Sequence, residues 1–311
     1  DNLPARLWLR RRLKALEPAL SVTCGVRVDI ACKTPGMLRD LPHTVDACET
    51  ALGYRLIWGE AAPLEAIRWR EPARLPAVEG VRYLFNRGAA LLWARRMCEA
   101  TPALRSEQQQ FVWIAIQKAR LSWGDALLLE QGRYTPRYSE RMDRLAGMAL
   151  PAELDFVPAV YREALRFKLE PYFPADQLAS LPALLAETIA GHEVLWRWIE
   201  TAIGAAPRPA AQFWPGRYGD GGRRFAGDAD GRSTPAARLY MLALNLWRVR
   251  PRSRRLLFEH PEERLVRVLP LLLFTAPDAG LPWPALARLL GLSRRQLGQN
   301  PQAALSDRLI A

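Results

Sequence analysis

The sequence predicts an α+β fold that is mainly α, on three observations. Strand-like alternation is confined to the first sixty residues, 3.6-residue apolar periodicity runs from about residue 77 nearly to the C-terminus, and a Pro-punctuated stretch from Ala61 to Pro76 separates the two. A partial α/β core over residues 1–70 and a large all-helical domain over 77–311, with a candidate subdivision near 205–234, are therefore expected. The chain has 311 residues, half of them apolar, enough for two domains with a substantial core. No run approaches the roughly 18 apolar residues of a membrane span. No secretory leader is visible, so no membrane partner and a cytoplasmic location are expected.

Each element has a local reason. Pro4 to Leu20 reads as one helix. Val26-Arg27-Val28-Asp29-Ile30 alternates, is rich in β-branched residues, and is bounded by Gly25 and by Lys33-Thr34-Pro35-Gly36, so it is expected to be a strand that carries Asp29 between two apolar residues. Met37 to Leu52 places Leu38, Leu41, Val45, Cys48 and Leu52 near helical spacing, Gly53 stops it, and Tyr54 to Gly59 reads as a second strand. The order is strand, crossover helix, strand.

Val28-Asp29-Ile30 followed by Leu56-Ile57-Trp58-Gly59 resembles the bacterial nucleotidyltransferases of the polymerase-β type. These present a third carboxylate as apolar-acid-apolar on a strand and follow it with a helix and a strand ending in a similar Gly phrase. The resemblance implies Asp29 as a catalytic and metal-binding carboxylate and Mg²⁺ as cofactor, since two divalent cations must be held while they neutralise a triphosphate. It also implies a Gly-Ser turn and an Asp-x-Asp pair upstream of Asp29. Only 28 residues precede Asp29 and neither motif is among them, so both are expected before residue 1 and the chain as it stands is expected not to transfer nucleotides.

The helical domain opens with Val78 to Glu99, in which Val81, Leu84, Phe85, Ala89, Leu92 and Trp93 recur at helical spacing until Thr101-Pro102. Ser106 is placed to cap the next helix, whose stripe of Phe111, Ile114, Ala115, Lys118, Leu121, Ser122, Ala126 and Leu129 ends before Gly132. Lys118, Ser122 and Asp125 then share one face. Lys118, Asp125-Ala126-Leu127-Leu128, Gly132, Tyr134, Tyr138 and Arg141, with Tyr83-Leu84-Phe85-Asn86-Arg87 upstream, resemble a phrase of the helical second domain of several such nucleotidyltransferases. The likeness spans roughly residues 1–145. It implies a nucleotide-binding role for Lys118, Asn86 and Asp125, with Lys118 turned inward on the side of Asp29. In an intact relative the implied reaction is transfer of a nucleoside monophosphate from a nucleoside triphosphate to an acceptor hydroxyl.

Beyond Met142 the chain is generic: Phe156 to Glu170, Pro182 to Ile203 and Pro235 to Arg250 read as amphipathic helices. His192-Glu193 begins a zincin-like phrase, but Trp196 stands where the second His ligand belongs. Gly216 to Arg232, with Asp228 and Asp230, lacks apolar flanks and reads as a surface loop. Ala285 to Leu297 resembles a helix-turn-helix with Gly291 at the turn and Ser293 as cap, which keeps a DNA-binding regulator as one alternative. A non-catalytic helical binding or scaffold protein is the other. The net charge of +12 rests on arginines spread along the chain, only four of the 44 basic residues being Lys, which favours solvated helix faces over a nucleic-acid surface. Cys24, Cys32, Cys48 and Cys98 contain no C-x-x-C pair and read as reduced packing thiols.

Overall fold

A computed structural model describes residues 3–25, 28–67, 75–101, 103–205, 208–219, 242, 261–275, 281, 283–290 and 300–310. It is 73% helix, with no strand among the described residues, so the mainly α character holds and the α/β core is not seen. The helices are α1 (Leu3–Cys24), α2 (Pro35–Arg39), α3 (Val45–Leu52), α4 (Ala62–Glu65), α5 (Val78–Ala100), α6 (Ser106–Glu130) and α7 (Tyr138–Ala146). After a 3₁₀ turn, Ala152–Leu154, come α8 (Val157–Leu169), α9 (Ala175–Leu178), α10 (Leu181–Ala202), α11 (Ala210–Gly219), α12 (Pro261–Phe274), α13 (Trp283–Leu289) and α14 (Pro301–Ile310).

The body is organised around α6, on which α5, α8 and α10 pack. Every residue from Ala119 to Leu129 is buried, so this half of α6 is enclosed on all sides. Trp123 meets Phe156 edge-on and Trp113 meets Phe167 in the same way. Gly124 lets α8 come close, since a Cβ there would run into the Tyr161 ring and would lie 2.9 Å from Leu145 Cδ2. Gly132, at φ 64°, ends the helix in the left-handed conformation, and the Arg133 amide donates to Leu128 O at 2.7 Å. α12 packs on α5 and α10, and Arg95 of α5 donates to its terminal carbonyls, Leu272 O at 2.6 Å and Leu273 O at 3.0 Å.

The N-terminal expectations need correcting. Residues 28–34 form neither helix nor strand, while Val26 and Arg27 lie outside the described residues. A ladder requires a neighbouring strand. Here the amides bond to side chains of α1 instead: Val28 N to Ser21 Oγ at 2.8 Å and Ile30 N to Glu17 Oε1 at 2.6 Å. Tyr54–Gly59 is irregular, with Ile57 and Trp58 exposed. The single helix expected over Met37–Leu52 is two. Pro42 disfavours helix at Leu41, and Thr34 and Thr44 cap the two pieces through their hydroxyls. Leu38, Ala51 and Ile67 form a separate small core, while Val45 and Cys48 of α3 join the main one.

The later helices fall within a residue or two of their expected bounds as far as α10. The expected helix Pro235 to Arg250 lies outside the described residues but for position 242. The expected loop lies outside them from residue 220 on, and its start, Gly216 to Gly219, is the end of α11. Of the expected helix-turn-helix, Ala285 to Leu289 belongs to α13, and 291–297 lie outside the described residues. No helix among the described residues is long and apolar enough to cross a membrane.

Candidate functional site

A cleft of ≈ 320 Å³ opens between the start of α3 and one face of α5. Thr44, Val45, Asp46 and Glu49 line one wall, and Glu79, Arg82, Tyr83 and Asn86, spaced three or four residues apart on α5, line the other. The N-terminus of α3 would attract an anion. It already holds one: the Val45 amide donates to Glu79 Oε2 at 3.0 Å, and Arg82 pairs with Glu79 Oε1.

Behind the cleft lies a buried network centred on Arg141, a fully enclosed guanidinium. Its Nη1 donates to both Asp125 carboxylate oxygens at 3.2 Å, and its Nη2 to Glu49 Oε1 at 2.6 Å, Tyr134 Oη at 2.5 Å and Pro136 O at 3.2 Å. Nε donates to Thr135 O at 2.6 Å, so all three nitrogens are bonded. The group also lies over the Tyr134 and Tyr138 rings, 4.4 and 4.3 Å from their centroids. Tyr134 donates to Glu49 Oε1 at 2.5 Å, and Tyr161 to Asp125 Oδ1 at 3.0 Å. Burial pushes the Asp125 carboxyl up, while the guanidinium and the Tyr161 hydroxyl oppose it. Burial also works against the charge of Arg141, but Asp125 and its other acceptors outweigh that and raise its pKa. The guanidinium keeps its charge at neutral pH and, with the Tyr161 hydroxyl, favours the ionised form of Asp125 against burial. Burial raises the pKa of Tyr83, Tyr134 and Tyr161 as well, so these phenols stay protonated donors.

The expected site residues do not gather in one place. Asn86 lines the cleft, and Asp125 lies behind it, joined through Arg141 to Glu49. Lys118 is not turned inward. With Glu107, Gln110 and Ile114, at helical spacing, it forms the face of α6 least covered by other helices, and it is exposed and outside the cleft lining. Nor does it share a polar face with Ser122, whose hydroxyl donates back to Ala119 O at 2.6 Å. Asp29 is also outside the lining, with its side chain 68% exposed and Lys14 Nζ at 3.2 Å.

Mg²⁺ takes near-octahedral oxygen ligands and dehydrates reluctantly, so it needs several anionic groups converging on one point. Among the described residues no group of three or more His, Cys, Asp or Glu side chains is placed to hold a metal, and Asp29 faces a lysine. The described residues therefore do not fit the ion at Asp29. Nothing local in the sequence marks Glu49 and Glu79, because each acts on an element far along the chain, 92 residues away for Glu49 and Arg141 and 34 for Glu79 and Val45. All four cysteines are free thiols.

Compared with protein-family models, with curated proteins and with solved structures, the chain matches none.

Proposed function

We propose that the chain is a protein of nucleotidyltransferase type whose helical body supplies the acceptor side, and that it binds a small acceptor in the cleft between α3 and α5 without itself transferring a nucleotide. The observation that carries the acceptor reading is the charge of the lining, which holds Asp46, Glu49 and Glu79 against Arg82 alone. With the α3 N-terminus and Arg82 both engaged by Glu79, a triphosphate would have to displace an internal carboxylate. A ligand rich in hydroxyl or amine donors meets acceptors instead: Glu49 Oε2 and Asp46 Oδ1, the oxygens opposite those that Arg141 with Tyr134 and Lys33 hold, and the Asn86 carbonyl. The type of protein is supported by the phrase that carries the resemblance, since Asp125, Tyr134, Tyr138 and Arg141 come together on one guanidinium beside Tyr83 and Asn86.

The test is a thermal-shift titration at pH 7. Glucosamine is expected to raise the melting temperature and Mg-ATP to leave it unchanged. Asn86→Ala, which touches none of the Arg141 bonds, is expected to abolish the glucosamine shift while the unliganded protein melts as before. Stabilisation by Mg-ATP but not by glucosamine would reverse the assignment of the cleft. Incubation with labelled nucleoside triphosphates, Mg²⁺ and glucosamine is expected to give no transfer. Turnover that disappears in Asp29→Asn would overturn the non-transferring reading.

A further inference from the structure

We infer that α1 is a self-association element, pairing antiparallel with α1 of a second copy of this chain. Leu9, Leu13, Leu16 and Leu20 follow the 4-3-4 spacing of a coiled-coil seam, at d, a, d and a of two heptads. No described helix covers that seam. Leu9, Leu16 and Leu20 are 41%, 52% and 39% exposed, and from Leu7 to Cys24 only Leu13, Glu17 and Ser21, the side on which residues 28–30 lie, are partly covered.

The flanking charges choose the occupant and its direction. Arg10 and Glu17 both fall at e positions, and in an antiparallel pair e faces e. Each Arg10 then meets Glu17 of the second copy, twice over by symmetry. Lys14 and the Ile30 amide bond to Glu17 Oε1, so Oε2 can take the arriving guanidinium. A parallel pair would set the Arg10-Arg11-Arg12 clusters of the two copies side by side. The antiparallel pair sends them to opposite ends and also opposes the helix dipoles. Pro18 lies at f, on the outer face, where it does not enter the seam. Two heptads make a short seam, so association is expected in the micromolar range.

Sedimentation velocity of the whole chain over about a hundredfold range of concentration in the micromolar regime tests this. The mass is expected to rise from one copy to two. The double variant Leu9→Glu with Leu16→Glu is expected to remain a single copy throughout, with the thermal unfolding of the helical body unchanged because both sites are on the surface. Arg10→Glu is expected to weaken the dimer at least tenfold, and adding Glu17→Arg in the same chain to restore it. A wild-type protein that stays a single copy at every concentration overturns the proposal, as does a dimer that survives Leu9→Glu with Leu16→Glu. Monomers that instead bind vesicles containing phosphatidylserine through α1 would show the occupant to be an anionic lipid surface, and overturn it too. A dimer indifferent to Arg10→Glu overturns the antiparallel register.

Discussion

Arg141→Met is expected to lower the stability of the helical body by about 3–5 kcal/mol, which is the range for removing one partner of a buried ion pair. The substitution keeps most of the volume but leaves the Asp125 carboxylate buried with Tyr161 as its remaining hydrogen-bond partner. It also strips a donor from the carbonyls of Thr135 and Pro136 and from Glu49. Arg141→Lys should recover little, because one ammonium cannot replace bonds that leave from three nitrogens in a plane. Pairing Arg141→Met with Asp125→Leu is expected to recover part of the loss, since a buried pair exchanged for apolar groups is often neutral. Urea unfolding at pH 7 measures all three. A loss below about 1 kcal/mol for Arg141→Met would mean that the network contributes no more than an exposed ion pair.

The second large effect is a loss of stability in mild acid through His192. This side chain is fully buried where α5, α6, α10 and α12 meet. Trp123 Nε1 donates to its Nδ1 at 2.9 Å, so that nitrogen is the acceptor and Nε2 carries the proton given to Leu84 O at 3.0 Å. Protonating Nδ1 would set two donors against each other inside an aromatic cage of Trp123, Trp196 and Phe274. Burial pulls the pKa down from 6.5 to about 4. Above pH 6.5 neither folded nor unfolded chain binds this proton and stability is flat. Below it the unfolded chain takes up the proton while the folded one does not, so stability falls until about pH 4. The total is roughly 3 kcal/mol, at about 1.4 kcal/mol per pH unit. His192→Gln keeps an acceptor and a donor without the titration. The difference between wild type and this variant should shift by that amount between pH 7 and pH 4, and a constant difference would show that His192 titrates normally.

The helical body was legible because its signal is periodic and local: Val78 to Ala100 and Ser106 to Glu130 are bounded where the sequence changes character. The strands were misread for a physical reason. Alternating β-branched residues favour an extended backbone, but a sheet depends on what lies alongside, and at residues 28 and 30 the neighbour is α1. Lys118 lies outward although its stripe is apolar, because half of that stripe belongs to the segment from Ala119 on, which is buried on every face and so carries no directional signal for the turns before it. The polar positions Glu107 and Gln110 held the better clue to its outward face. Asp125 stands out in the sequence, but helical spacing shows only its neighbours on α6, whereas its bonds go to Arg141 and Tyr161 on other elements.

The enclosure of α6 sets how unevenly the molecule opens. Its amide hydrogens between Ala119 and Leu129 have no route to water short of unfolding the whole body, so their exchange reads the global free energy. Residues 28–67 are held by the small core of Leu38, Ala51 and Ile67, by Val45 and Cys48, by the bonds of Glu49 and Glu79 and by two bonds to α1, so they are expected to exchange through cheaper local openings. The cleft has one wall on α3 and the other on α5, which packs against α6. A molecule bound across it would slow deuterium uptake in α3 while leaving α6 unchanged, and so report its own occupancy from one side only.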